Sequence, residues 1–284
     1  MSIAKILVPV CGADSDASAL ATAIAAARPF ASHIALFAIH EDPALAVPLV
    51  GVPLAPETIA SIIEGQTLHG NDAAARARAT MRAVCGREGV RVTPTPAHDD
   101  ALTCSFRQYW GNVAVGIGNA AALSDLVVLG PICWDNPQAF NEAFLDVLRD
   151  VRRPILVARG AAREPKRIVI GWDGSAAAAH AVSAAMPFLE RAEAVTILTV
   201  SCRGDVCPST APLGEYLARH GIVFTHREVD AGDTPAGEAL LAAAKDADLL
   251  VVGAYGHDHL RETLFGGATE TLAGDTGVPV LLAH

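Results

Sequence analysis

Toward the carboxyl end, between Asp246 and Thr271, glycines at 253, 256, 266 and 267 alternate with imidazole, guanidinium and hydroxyl side chains: His257, His259, Arg261 and Thr269. Residues 249–252, Leu-Leu-Val-Val, form an apolar run closed by Gly253, which reads as a short strand buried on both faces. The chain then turns over Gly256. Gly266 and Gly267 open residues 268–273, a segment suited to a helix whose first turn lets another group approach its backbone. Free N–H groups and the positive end of the helix dipole there suit an anion, a phosphate above all. His257, His259 and Arg261 would add donors or positive charge. Two plainer readings stand beside this one: the histidines as exposed loop residues, and the glycines as a tight turn that packs closely and holds no ligand.

A loop of this kind needs a scaffold, and the chain carries one twice. Residues 5–10, Lys-Ile-Leu-Val-Pro-Val, followed by Cys11-Gly12, match residues 167–172, Arg-Ile-Val-Ile-Gly-Trp, followed by Asp173-Gly174. Alanine-rich helical segments come next, 15–28 and 175–186, closing on Arg28-Pro29-Phe30 and Met186-Pro187-Phe188. Second strands are expected at 33–39 and 194–200. Ser124-Asp125 before Leu-Val-Val-Leu-Gly130 parallels Ala247-Asp248 before Leu-Leu-Val-Val-Gly253, and residues 153–159 parallel 278–284. These correspondences, in one order, make an internal duplication of parallel βαβ units, with 160–165 as the linker. The first half adds a long helix from about Pro56 to Gly86, in which Arg76, Arg78 and Arg82 form a solvated stripe. Arg107, Tyr109 and Trp110 are expected on the surface of a crossover, with ligand contact as the alternative, and Asn112 caps the helix that follows.

With 284 residues, 51% of them hydrophobic and 18% charged, the chain has the composition of a compact α/β protein of two domains. The net charge of −10 is shared by both halves, so neither presents a field suited to nucleic acid or an anionic membrane. No apolar run reaches the ~18 residues that cross a bilayer, and the first ten residues read as a strand and not as a leader, so a cytoplasmic location is expected. The six cysteines lack metal-binding spacing; Cys202 and Cys207 are the one close pair.

The spacing Gly253-x2-Gly256-x9-Gly266 resembles the nucleotide-binding signature of the universal stress protein (UspA) family, although Gly267 stands where a serine or threonine is expected. The resemblance implies two tandem Rossmann-like, adenine-nucleotide alpha-hydrolase-like domains at 1–160 and 166–284, each a parallel doubly wound five-stranded sheet. It further implies ATP or another adenine nucleotide bound in the second domain by Asp173, Val200, Gly253, Gly256, His257, Gly266, Gly267 and Thr269. In the first half Cys11 stands in the place of Asp173 and no glycine lies between Gly130 and Gly160, so that site reads as degenerate. The family also implies a regulatory stress-response module with an unidentified protein partner. The last strands of the two halves would pair with each other as an internal pseudo-dimer, and a further homodimer is open through the long helix. Two alternatives remain: a slow ATPase or phosphotransferase using His257 or Asp258, and a ligand-free interaction protein.

Overall fold

The computed structural model describes residues 2–47, 54–94, 101–130, 137–201, 207–254 and 277–284, with the backbone alone for 137–141. In the first half the strands are β1 (Lys5–Val10), β2 (His33–His40), β3 (Arg91–Val92), β4 (Thr103–Trp110), β5 (Leu126–Leu129) and β6 (Ile155–Val157). The helices are α1 (Ser15–Ala27), α2 (Pro56–Glu88), α3 (Val113–Ala122) and α4 (Pro137–Arg149). The second half supplies β7 (Arg167–Gly171), α5 (Ala176–Leu189), β8 (Ala194–Ser201), α6 (Ala211–Arg219), β9 (Phe224–Asp230), α7 (Ala236–Ala243), β10 (Leu249–Gly253) and β11 (Val280–Ala283). The eleven strands among the described residues join in one sheet of order β3-β4-β2-β1-β5-β6-β11-β10-β7-β8-β9. Within each half every pairing is parallel. Each half is thus a doubly wound, Rossmann-like sheet of five strands, to which the two-residue β3 adds a short edge in the first.

The halves meet where β6 pairs antiparallel with β11, Leu156 opposite Leu281. A parallel strand at a sheet edge leaves a row of unpaired backbone groups, and this pairing covers two such edges at once. The core runs through the junction on both faces. Leu156 and Leu281 belong to the cluster packed under α1, α2, α5 and α6, and Ile155, Val157, Val280 and Leu282 to the one under α3 and α4. The repeated motifs after α1 and within α5 also meet: Phe30 and Phe188 stack edge to face at 5.4 Å, with the Arg191 guanidinium 4.6 Å over the Phe30 ring. Equivalent residues touching each other is the signature of a twofold-like contact.

A second repeated device holds the middle of each sheet. The Asp125 carboxylate accepts from Ala4 N (2.8 Å) and Lys5 N (2.9 Å), tying the start of β5 to the start of β1. Its counterpart Asp248 accepts from Arg167 N (2.8 Å) and from the Arg167 side chain. Asn112 caps α3 as expected, its side chain accepting from Val115 N at 3.0 Å.

Three details differ from the sequence reading. Arg107, Tyr109 and Trp110 lie in strand β4 and not on a crossover, with Tyr109 stacked on Phe37 and Trp110 against His40. The arginine stripe of α2 is exposed but engaged: Arg76 Nε donates to Gly12 O (3.0 Å), and Arg78 lies over the Phe106 ring. Helix α5 also continues past Pro187 to Leu189, because a proline in the last turn forfeits just one ladder bond.

Candidate functional site

In an open parallel sheet, ligands bind outside the carboxyl ends of the strands, at the point where the winding reverses. In the second half that point lies between β7 and β10. A cavity of about 210 Å³ opens there, lined by Trp172 and Asp173 after β7, Leu198 and Val200 of β8, Leu240 of α7 and Gly253 closing β10. Three residues expected from the sequence, Asp173, Val200 and Gly253, therefore share one cavity. Gly256, His257, Gly266, Gly267 and Thr269 lie outside the described residues, as do Asp258 and Cys202.

The turn after β7 is built from its own side chains. Asp173 Oδ1 accepts from Ser175 N at 2.9 Å, and Ser175 Oγ accepts from Ala178 N at 3.0 Å, capping α5. Gly174 carries φ +78°, a left-handed conformation that a side chain would strain. Asp173 Oδ2 accepts no bond within the described residues. The remaining walls are apolar, and Asp173 is the one ionisable group among the described residues lining the cavity. A flat heterocycle would lie against Trp172, Leu198, Val200 and Leu240, with the carboxylate accepting from a ring amine or a sugar hydroxyl.

Gly253 has a packing role that its place in the glycine spacing does not announce. A Cβ there would run into the backbone of Ala177 and Ala178, in the first turn of α5. The missing side chain thus admits the helix. Sequence reasoning also overlooked Trp172, Pro208 and Gly237 as lining residues. The available signal was Trp172, an aromatic directly before the candidate aspartate; its Nε1 donates to Ser209 O at 3.2 Å.

The same edge of the first half is closed from within. Asp16, 5% exposed, accepts from Gly12 N (2.7 Å) and Cys11 N (3.2 Å), filling the backbone donors after β1. Burial pushes its carboxyl above the usual range, while those N–H bonds, that of Ala13 and the Arg76 charge pull the other way. Helix α2 lies over the turn, with the Ala73 backbone where a Gly12 side chain would sit. In the register that sets Cys11 beside Asp173, the residue matching Asp16 is Ala178, whose own N–H is taken by the Ser175 cap.

No group of three or more His, Cys, Asp or Glu side chains among the described residues is placed to hold a metal ion. No helix among them is long and apolar enough to cross a membrane.

Comparison with known proteins yields a match of residues 209–284 to the universal stress protein family. A universal stress protein from Archaeoglobus fulgidus DSM 4304 superposes with TM-score 0.57 at 15% identity, covering 98% of this chain and 97% of that one. A putative universal stress protein from Pseudomonas aeruginosa UCBPP-PA14 covers 99% of this chain and 93% of its own at 19% identity, with TM-score 0.48. A universal stress protein in complex with cAMP, 26% identical, covers 42% of this chain and 97% of its own, with TM-score 0.30. No curated protein sequence matches.

Proposed function

We propose that the chain is a tandem universal stress protein, its residues 209–284 matching that family and its fold repeating the domain, and that it is a regulatory module binding an adenine nucleotide in the second half. The observation that carries this reading is the meeting of Asp173, Val200 and Gly253 around one cavity at the carboxyl ends of β7, β8 and β10. At about 210 Å³ the cavity is smaller than the ~300 Å³ at which pockets for whole small-molecule ligands begin. It suits the base. The ribose and phosphates belong to the continuation past Gly253, where Gly256, His257, Gly266, Gly267 and Thr269 supply backbone donors, an imidazole and a hydroxyl.

The domains are 1–160 and 166–284, and the first serves as the structural partner of the second, its edge taken by Asp16 and α2. Binding needs donors, whereas turnover also needs a positioned water or nucleophile; the glycine-rich segment offers backbone donors and the sequence carries no Ser-His-Asp order or paired carboxylates beside it, which favours binding. On this reading the chain works in the cytoplasm, changing shape or partner as nucleotide levels change under stress.

Calorimetric titration of the whole chain with ATP, ADP, AMP and cyclic AMP tests the proposal. One saturable site per chain is expected, lost in Gly256→Val, which blocks backbone approach, and strengthened in Gly267→Ser, which adds a hydroxyl. Absence of heat with all four ligands at millimolar concentration would refute it.

A further inference from the structure

A second, larger cavity of about 480 Å³ opens at the seam between the halves, at the opposite edge of the second sheet from the nucleotide cavity. Arg159, just past β6, and Arg163 of the linker face the end of α7 at Lys245, the start of β10 at Asp246, and the approach to β11 at Gly277 and Val278. Three cations and one carboxylate thus line a single opening, on a chain whose net charge is −10.

Arg159 is the unusual member. Its Nη1 is buried and has no hydrogen-bond partner among the described residues. Burial pulls its guanidinium below the usual value. The backbone crowds this side chain: a Cβ added at Gly277 would come within 3.2 Å of the Arg159 Cβ and 3.3 Å of its Nε, and Gly160, at φ +60°, leaves room for the Gly277 carbonyl. Fixing a cation where its donors go unmet costs free energy that an arriving acceptor would recover. Its neighbours are also available. Arg163 reaches Asp248 only at 4.0 Å, and that carboxylate is already taken by Arg167 at 2.8 Å. Lys245 has no ion pair among the described residues.

We infer that the seam cavity is a binding site for a small, multiply charged oxyanion, held by Arg159, Arg163 and Lys245. A planar guanidinium presents paired donors that fit either phosphate or carboxylate oxygens, so both classes share the required chemistry. The walls from Leu241, Val278 and Pro279 leave space for a modest organic body beyond the charged group. Because residues of both halves close this cavity, an anion bound there would brace the junction between them.

The test is calorimetry and thermal unfolding of the whole chain with inorganic pyrophosphate and, separately, citrate, at constant ionic strength set by chloride. Saturable binding of one or both is expected, and the stronger of the two identifies the phosphate or the carboxylate class. Arg159→Met should weaken binding at least tenfold while leaving the anion-free melting temperature unchanged or raised, since it removes a buried unpaired charge. Lys245→Gln, at an exposed position, should weaken binding without touching the fold. Gly256→Val, which disables the proposed phosphate cradle of the nucleotide site, should bind the anion as the parent does, which separates the two sites. No saturable binding of either anion, or undiminished binding in both Arg159→Met and Lys245→Gln, would overturn the inference.

Discussion

Asp248 is only 6% exposed, yet it carries a charge at the head of β10 because Arg167 meets it with a backbone N–H and two guanidinium nitrogens. Burial pushes its carboxyl up, but the Arg167 bonds and charge together outweigh this and hold it below the usual range. Since its folded pKa lies below the unfolded value, the stabilisation is fully present above the unfolded pKa of 3.8 and is lost as pH falls through the folded one. Asp248→Asn should therefore cost ~1–3 kcal/mol at neutral pH and flatten the acid limb of the stability curve, measured by urea unfolding. His33 works with the opposite charge. It is 7% exposed, bonded to Thr103 Oγ1 (2.8 Å) and Ser105 Oγ (2.9 Å), and held below the usual histidine value by burial, then by Lys5 and Arg107. Below the unfolded pKa of 6.5 the unfolded chain takes up a proton that the folded chain refuses, so stability falls as pH drops from 6.5 toward the folded pKa. His33→Gln should shrink that slope, part of which remains because His40 is shifted the same way. An unchanged slope would contradict the assignment.

The strands at the centre of the sheet are legible in the sequence because both of their faces are buried, which writes them as continuous apolar runs: β1, β5, β10 and β11 each read so. The outer strands hide for the converse reason. β9, Phe-Thr-His-Arg-Glu-Val-Asp, is exposed along most of its length, and β4 turns polar and exposed over Arg107–Tyr109, so neither shows an apolar period. Charged residues on an edge strand also deter pairing with another chain. The candidate site is legible in part. Asp173 and Val200 follow from strand ends, whereas Trp172, Pro208 and Gly237 reach the cavity by tertiary packing that no local pattern records. Gly253 belongs to two patterns at once, a glycine spacing and a helix contact. Gly253→Ala should destabilise the chain by ~1–3 kcal/mol, because the added methyl meets backbone at Ala177 and Ala178 that cannot rotate away. Thermal unfolding of this variant measures the cost, and a melting temperature equal to the parent's would show that α5 can withdraw.

Across the whole molecule the two sheets behave as one, since the β6–β11 pairing carries both hydrophobic clusters through the junction. Unfolding should be a single transition, with probes in the first half (Trp110) and the second half (Trp172) moving together. Leu281→Ala, at a fully buried seam position, should lower both by the same ~2–5 kcal/mol and not split them. A fragment of residues 161–284 exposes the freed edge of β11 and should self-associate through it; a stable monomer would count against the seam as a necessary cover. The shared frame gives the account its asymmetry: two related edges, one closed by Asp16 and α2, the other open beside Asp173. That asymmetry is most directly read from the three tryptophan indole N–H signals in a proton–nitrogen correlation spectrum during titration with ATP. Trp172 lines the open cavity and donates to Ser209 O, and Trp110 lies in β4 of the first half. A saturable shift of the Trp172 signal, assigned with Trp172→Phe, is expected while the Trp110 signal stays fixed. A Trp172 signal unmoved by saturating ATP, or a shift centred on Trp110, would contradict that asymmetry.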